Sequence, residues 1–309
     1  MRLFGGTCMG CKEEFRLSQC GCDLDPPEDL VKSQWQRRNR NCIYLIYRWI
    51  IAIIFIASVA VSMSNNVTAS DWGFYFIYLT NWGIVACMIT TTMGAILVSL
   101  WHFHPQFSAR VESEGVVPTS FKVYWTLHNS TLVMSIIITI IYWSILFDPE
   151  IHMADAINIL THATNSVFMF IDVLIVAYPV RIYHAVQGLA FGLVYVIFSV
   201  IYFAAGGTTK SGSTYIYSVL NWNDPGSAMI TVVGVCALGI VIHLILYFIY
   251  LLRTWVYRRL FEKDEILPTT SPCSTIPAHG GISMVLGQFG QDNRAFTTST
   301  EKLSYKERY

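Results

Sequence analysis

"LVMSIIITIIYWSILF", Leu132 to Phe147, contains no charged residue. In water such a segment would need burial on every side, whereas in a bilayer it needs only length. With Tyr124–Thr131 before it, it reaches the roughly 20 residues that cross about 30 Å of hydrocarbon as a helix. Five further apolar runs flank it, and the composition agrees. The 309-residue chain is 54% hydrophobic and 13% charged, with mean hydropathy +0.48; a soluble domain carries about 25% charged residues. The sequence therefore predicts an all-α membrane protein, a bundle of six transmembrane helices. The spans are Tyr44–Met63, Phe74–Trp101, Tyr124–Phe147, Ala154–Tyr178, Val186–Ala205 and Ser227–Tyr250. Trp and Tyr gather at their ends (Trp49, Trp72, Trp101, Tyr178, Tyr250, Trp255), as an interfacial belt requires.

Three regions follow: a Cys-containing tail at residues 1–43, the membrane domain at 44–261, and a tail at 262–309. The last is rich in Ser, Thr, Gly and Pro without apolar periodicity and reads as disordered. Lys and Arg set the orientation. Lys32, Arg37, Arg38, Arg40 and Arg48 precede or begin the first span; Arg110 and Lys122 occupy the second loop, Arg181 the fourth, and Arg253, Arg258, Arg259 and Lys263 follow the sixth. The first and third loops hold none, and the fifth only Lys210. Both termini are therefore expected in the cytosol. Zero net charge and no basic groove argue against a nucleic-acid partner and leave membrane lipids as the expected one.

Cys8, Cys11, Cys20 and Cys22 could supply four thiolates to zinc, although Cys-x-Cys is tight for a zinc knuckle. Palmitoylation or reduced thiols suit a cytosolic tail equally. "NVT" at Asn66 is a glycosylation sequon in a loop short enough to hinder the modifying enzyme.

The fourth span, "NILTHATNSVFMFIDVLIVAY" (Asn158–Tyr178), carries polar groups that are expensive in hydrocarbon. On a continuous helix Asn158, His162, Asn165, Met169 and Asp172 fall within about 80° of one another, a single stripe facing the bundle. His162 would lie about 12 Å in from the outer side and Thr80 of the second span about 9 Å, in the same leaflet. A Thr hydroxyl beside an imidazole is a nucleophile–base arrangement, with Asn165 to orient the ring or hold an oxyanion. The plainer readings stay open: Thr80 bonding the Phe76 carbonyl, and His162 and Asn165 as interhelical glue. Asp172, His128, Asn129 and His243 form a second polar layer near the inner end, where helix docking is the expected role. No cofactor is expected. His128 and His243 share a depth that a haem would need, whereas His162 has no partner at its own.

"EDLVKSQWQ", "YLTNWG", "NILTHATNSVFMFID", "YPVRIYH", "IYFAAGGT" and "YIYSVLNW" occur in order from about Glu28 to Phe261. In these motifs the chain resembles the rolling stone family of insect multi-pass membrane proteins, which implies a role in myoblast fusion and muscle development at the plasma membrane, with the endoplasmic reticulum the other candidate. More remotely it resembles the androgen-induced membrane hydrolases, which cleave fatty acid esters of hydroxy fatty acids. Tyr78-Leu79-Thr80 matches their Thr motif, and His162 with Asn165 their His and Asn. That resemblance implies an acyl-ester substrate, a Thr80 nucleophile and a His162 base. The sequence departs from them at Asn81-Trp82 and at "ATN" after the His.

The charge asymmetry makes a direct prediction. Tags at residue 5 and residue 305 should be hidden on intact cells, and a tag inserted at Gly212 should be reached by antibody. The reverse pattern would overturn the orientation.

Overall fold

The structure is a computed structural model that describes residues 15–66, 72–150 and 156–261. The tail at 262–309, Cys8 and Cys11 lie outside those residues, as do Val67 and Thr68 of the Asn66 sequon. All described regular structure is helical. Five helices are long and apolar enough to cross a bilayer, and a bent pair of helices brings the number to six when taken as one span.

Helix α1 (Cys42–Asn66) runs to a short helix α2 (Trp72–Tyr75), then to α3 (Leu79–Phe103). Pro105 at the first position of α4 (Pro105–Glu114) and left-handed Gly115 (φ 60°) after it bound a short surface helix. Helix α5 (Thr119–Ile141) continues into a π-helical turn, Tyr142–Leu146. The fourth span is α6 (Ala156–His162) and α7 (Thr164–Ile175); α8 (Ala185–Ala204) and α9 (Pro225–Phe261) complete the bundle. Helix α5 is central. It packs against α3, α7, α8 and α9, and its inward face is buried from Phe121 to Ile138. This is why the stretch around Leu132 tolerates no charge.

Three departures from the sequence-based spans share one cause, the pairing of backbone groups where water is scarce. The second span is broken at Phe76–Tyr78, so its long helix begins at Leu79 instead of Phe74. The fourth span bends by 46° at Ala163, which divides the expected polar stripe between two axes. It also ends at Ile175 instead of Tyr178, because Val176 turns extended and forms an antiparallel bridge with Ser33.

That bridge anchors the amino-terminal segment under one end of the bundle, hereafter the base. Gln34 N donates to Ile175 O at 2.9 Å and Ala177 N to Lys32 O at 3.0 Å. The Trp35 indole donates to Leu174 O at 2.9 Å. Arg181 reaches the Gly21 and Asp23 carbonyls. His184 donates from Nε2 to Gly21 O at 3.2 Å and accepts at Nδ1 from Asn129 Nδ2 at 3.0 Å, which fixes a neutral imidazole with its proton on Nε2. Leu30 and Val31 are buried among Leu97, Trp101 and Phe121. Residues 15–41 are thus part of the folded body. Cys22 Sγ lies 3.5 Å from Thr126 Oγ1 and accepts from Gln187 Nε2 at 3.7 Å, while Cys20 is exposed.

Asp29 sits half-buried in this segment, near Glu28, Lys32, Asp25 and Arg253, and burial pushes its carboxyl from 3.8 up to about 6. An unfolded chain releases that proton near 3.8 while the folded chain still holds it. Stability therefore falls as pH rises between the two values and levels off above about 6. Thermal melts of the detergent-solubilised protein should show this fall, and Asp29→Asn should flatten it; an unchanged profile would place the carboxyl in water.

Candidate functional site

Thr80 stands in the first turn of α3, just after the break. The break frees three carbonyls, and side chains take each of them. Asn81 Nδ2 donates to Tyr75 O at 2.7 Å, Trp82 Nε1 to Phe76 O at 2.6 Å, and the Tyr195 hydroxyl to Ile77 O at 2.8 Å. The Phe76 carbonyl is therefore held by Trp82. Asn81-Trp82, where the chain departs from the androgen-induced hydrolases, is what closes the broken turn.

Thr80 lines a cavity of about 390 Å³ between α3, α5, α8 and α9. Its wall is largely aliphatic (Ile138, Leu193, Val235), and Gly192 widens it. Tyr142, Tyr195 and Tyr217 also line it. Burial pushes the Tyr217 phenol up to about 12, so it stays protonated. The size and lining suit an apolar ligand with one polar end.

His162 is not part of the cavity wall. Its ring stacks on Tyr142, centroids 3.4 Å apart and planes within 2°, and Tyr142 also lines the cavity. Tyr142 is the shared element between the two predicted catalytic residues. No hydrogen bond among the described residues joins Thr80 to His162. His162 ends α6, and its carbonyl lies 2.7 Å from Thr139 Oγ1. Asn165, 1% exposed, donates from Nδ2 to Thr161 O at 2.9 Å. Asn158 Oδ1 accepts from the Tyr142 hydroxyl at 2.9 Å. The polar residues that open the fourth span thus staple the bend at Ala163.

The inner layer separates into three contacts. Asp172, fully buried, accepts from Arg48 Nη1 at 2.6 and 2.8 Å, from His128 Nε2 at 2.9 Å and from the Tyr47 hydroxyl at 2.9 Å. Asn129 instead donates to His184 and to Gln187 Oε1 at 3.1 Å. His243 donates to the Arg181 carbonyl at 2.8 Å. Sequence reasoning missed Arg48 as the main partner because it was counted as a cytosolic charge at a span boundary. It lies six residues into α1, about 9 Å along the axis, 2% exposed. Its guanidinium is sandwiched by Tyr44 and Tyr124, 5.5 and 5.6 Å from their centroids. A methyl group at Gly94 would come within 2.9 Å of the Tyr124 ring and 3.0 Å of Arg48 Nη2, so only glycine lets α3 pass here. Arg253, also unrecognised, is 3% exposed and donates to the Val173 and Tyr178 carbonyls, closing the end of α7.

The family model for "Protein rolling stone" matches residues 1–266. The chain belongs to the rolling stone family. A relative named "Protein rolling stone" from Drosophila melanogaster is 36% identical over 269 residues, covering 85% of this chain and 95% of its own length. No solved structure matches the chain. The matched region includes both breaks, the cavity, the buried ion pair and the amino-terminal segment, so the architecture described here is that of a whole rolling stone-type domain. Among the described residues no group of His, Cys, Asp and Glu is arranged to hold a metal ion, and Cys8 and Cys11 fall outside them.

The ion pair gives the strongest mutational expectation. Asp172→Asn or Arg48→Met alone should cost about 3–5 kcal/mol, because each strands a buried charge. Arg48→Met with Asp172→Leu should recover most of that loss in thermal melts. If the double variant is as unstable as the singles, the pair is held by more than charge.

Proposed function

We propose that this rolling stone-type protein resides in the plasma membrane with both termini in the cytosol and acts in myoblast fusion and muscle development. Family membership over the entire membrane domain carries this reading. The Lys and Arg distribution supports the orientation, since the segment carrying Arg37, Arg38 and Arg40 is anchored at the same end of the bundle as Arg258 and Arg259.

One observation favours a second reading, intramembrane lipid-ester hydrolysis: Thr80 lines a largely apolar cavity among helices long enough to cross a bilayer. There Thr80 Oγ1 would attack the ester carbonyl as His162 took the hydroxyl proton, the ester C–O bond would break with that proton passing to the departing alcohol, and water would then release the acid from the acyl-Thr80. The protein is not set for that transfer, since no hydrogen bond among the described residues joins Thr80 to His162, whose ring is stacked on Tyr142 outside the cavity wall. The fusion reading needs no such transfer.

Depleting the protein from fusion-competent myoblasts should reduce multinucleate myotubes, and both wild type and Thr80→Ala should restore them. Normal fusion after depletion removes the first reading. Failure of Thr80→Ala to rescue, together with fluorophosphonate labelling that this variant loses, would move the function to the second.

A further inference from the structure

Arg37 and Arg38 lie far in sequence from Arg258 and Arg259, yet the fold brings the two pairs together. Trp35 packs edge-on against Tyr257 and Phe261 of α9, centroids 6.1 and 6.5 Å apart. The Arg37 guanidinium covers the Phe261 ring at 5.0 Å. Gln36 holds the intervening loop in shape, accepting from Ser33 N and donating to the Arg38 and Asn39 carbonyls at 3.0–3.3 Å. Arg37, Arg38 and Arg259 are exposed.

Most other basic side chains of the base have ion-pair or hydrogen-bond partners: Lys32 has Glu28, Arg110 has Glu114, Lys122 has Asp23, Arg40 has Ser108, and Arg181 and Arg253 have backbone carbonyls. These four arginines have none among the described residues, and Arg258 Nη2 is buried without any hydrogen-bond acceptor. A favourable helix-dipole position accounts for Arg258 and Arg259 alone. It does not account for a second arginine pair brought alongside by an aromatic clamp. The location is specific too. Ile245, Phe248, Leu252 and Trp255 form one exposed apolar stripe on α9, spaced three and four residues apart, and Arg259 continues it. Arg259 lies over the Trp255 ring at 5.4 Å. The cluster therefore sits where the lipid-facing surface ends, at headgroup level, beside an interfacial tryptophan.

We propose that Arg37, Arg38, Arg258 and Arg259, joined through Trp35, form one binding site for the polyanionic headgroup of a phosphoinositide in the adjoining leaflet. Guanidinium groups pair with phosphate oxygens through two parallel N–H donors, and a basic residue near an anionic surface contributes about fivefold in affinity. A phosphoinositide is cytosolic-leaflet lipid, so its access in cells rests on the orientation proposed above. Binding in micelles does not, which keeps the two claims separable.

The test is native mass spectrometry of the full chain in phosphatidylcholine micelles titrated with phosphatidylinositol bisphosphate. Wild type should retain one such lipid in preference to phosphatidylcholine. Arg37→Gln with Arg38→Gln, and separately Arg258→Gln with Arg259→Gln, should each weaken retention about twentyfold or more. Trp35→Ala should do the same without altering charge, Trp35→Phe should keep binding, and Lys122→Gln should leave it intact. Equal loss from all basic substitutions would mean diffuse attraction and overturn the site. So would silence of both Trp35 variants, or binding that rises when Glu262, Asp264 and Glu265 are neutralised, which would mean that the chain's own acids hold the cluster.

Discussion

An unpaired carbonyl in hydrocarbon costs several kcal/mol, and most of this fold can be traced to how that cost is avoided. Where helices run unbroken the backbone pairs with itself. Where they break, side chains stand in. Asn81, Trp82 and Tyr195 close the gap before α3; Thr139 and Asn165 close the one between α6 and α7; Arg253 and Ser33 cover the end of α7. The break before α3 adjoins the cavity that Leu79 and Thr80 line, and Tyr195, one of its staples, is part of the cavity wall. At the second span, local irregularity and the candidate site therefore meet in the same residues.

The buried carboxylate of Asp172 follows a related logic. Four hydrogen bonds from three side chains, and two tyrosine faces on the guanidinium of Arg48, replace the water that both ions lost. Such a pair adds little net stability relative to apolar residues of the same volume, but it penalises every other packing heavily. It specifies which face of α1 meets α5 and α7, and Gly94 lets α3 come close enough to cover it.

The membrane class and the number of spans were legible from apolar length, because hydrocarbon imposes a minimum that composition alone can meet. Asp172 and His128 could be placed together from depth. Arg48 could not, since a basic residue at a span edge has the same signature whether it faces cytosol or a buried acid; six residues of helix decide the matter. Thr80 was recognisable as a cavity residue through family motifs. The role of His162 and Asn165 was harder to see, because the stripe was drawn on an unbroken helix. Asn165 three residues beyond His162 fits a catalytic pair and fits equally a side chain reaching back to Thr161. The anchoring of the amino-terminal segment was hidden for another reason: "LVKSQW" has no helical period, and its pairing partner at Ile175–Ala177 lies some 140 residues away.

That separation has a consequence for how the protein is made. The amino-terminal segment leaves the ribosome first, yet the carbonyls and cations that hold it belong to the ends of the fourth and sixth spans. Arg48 likewise enters the bilayer 124 residues before its carboxylate exists. Neither the ion pair nor the anchored segment can be complete until the fourth and sixth spans have been made. The part of the chain made first therefore waits longest for its partners.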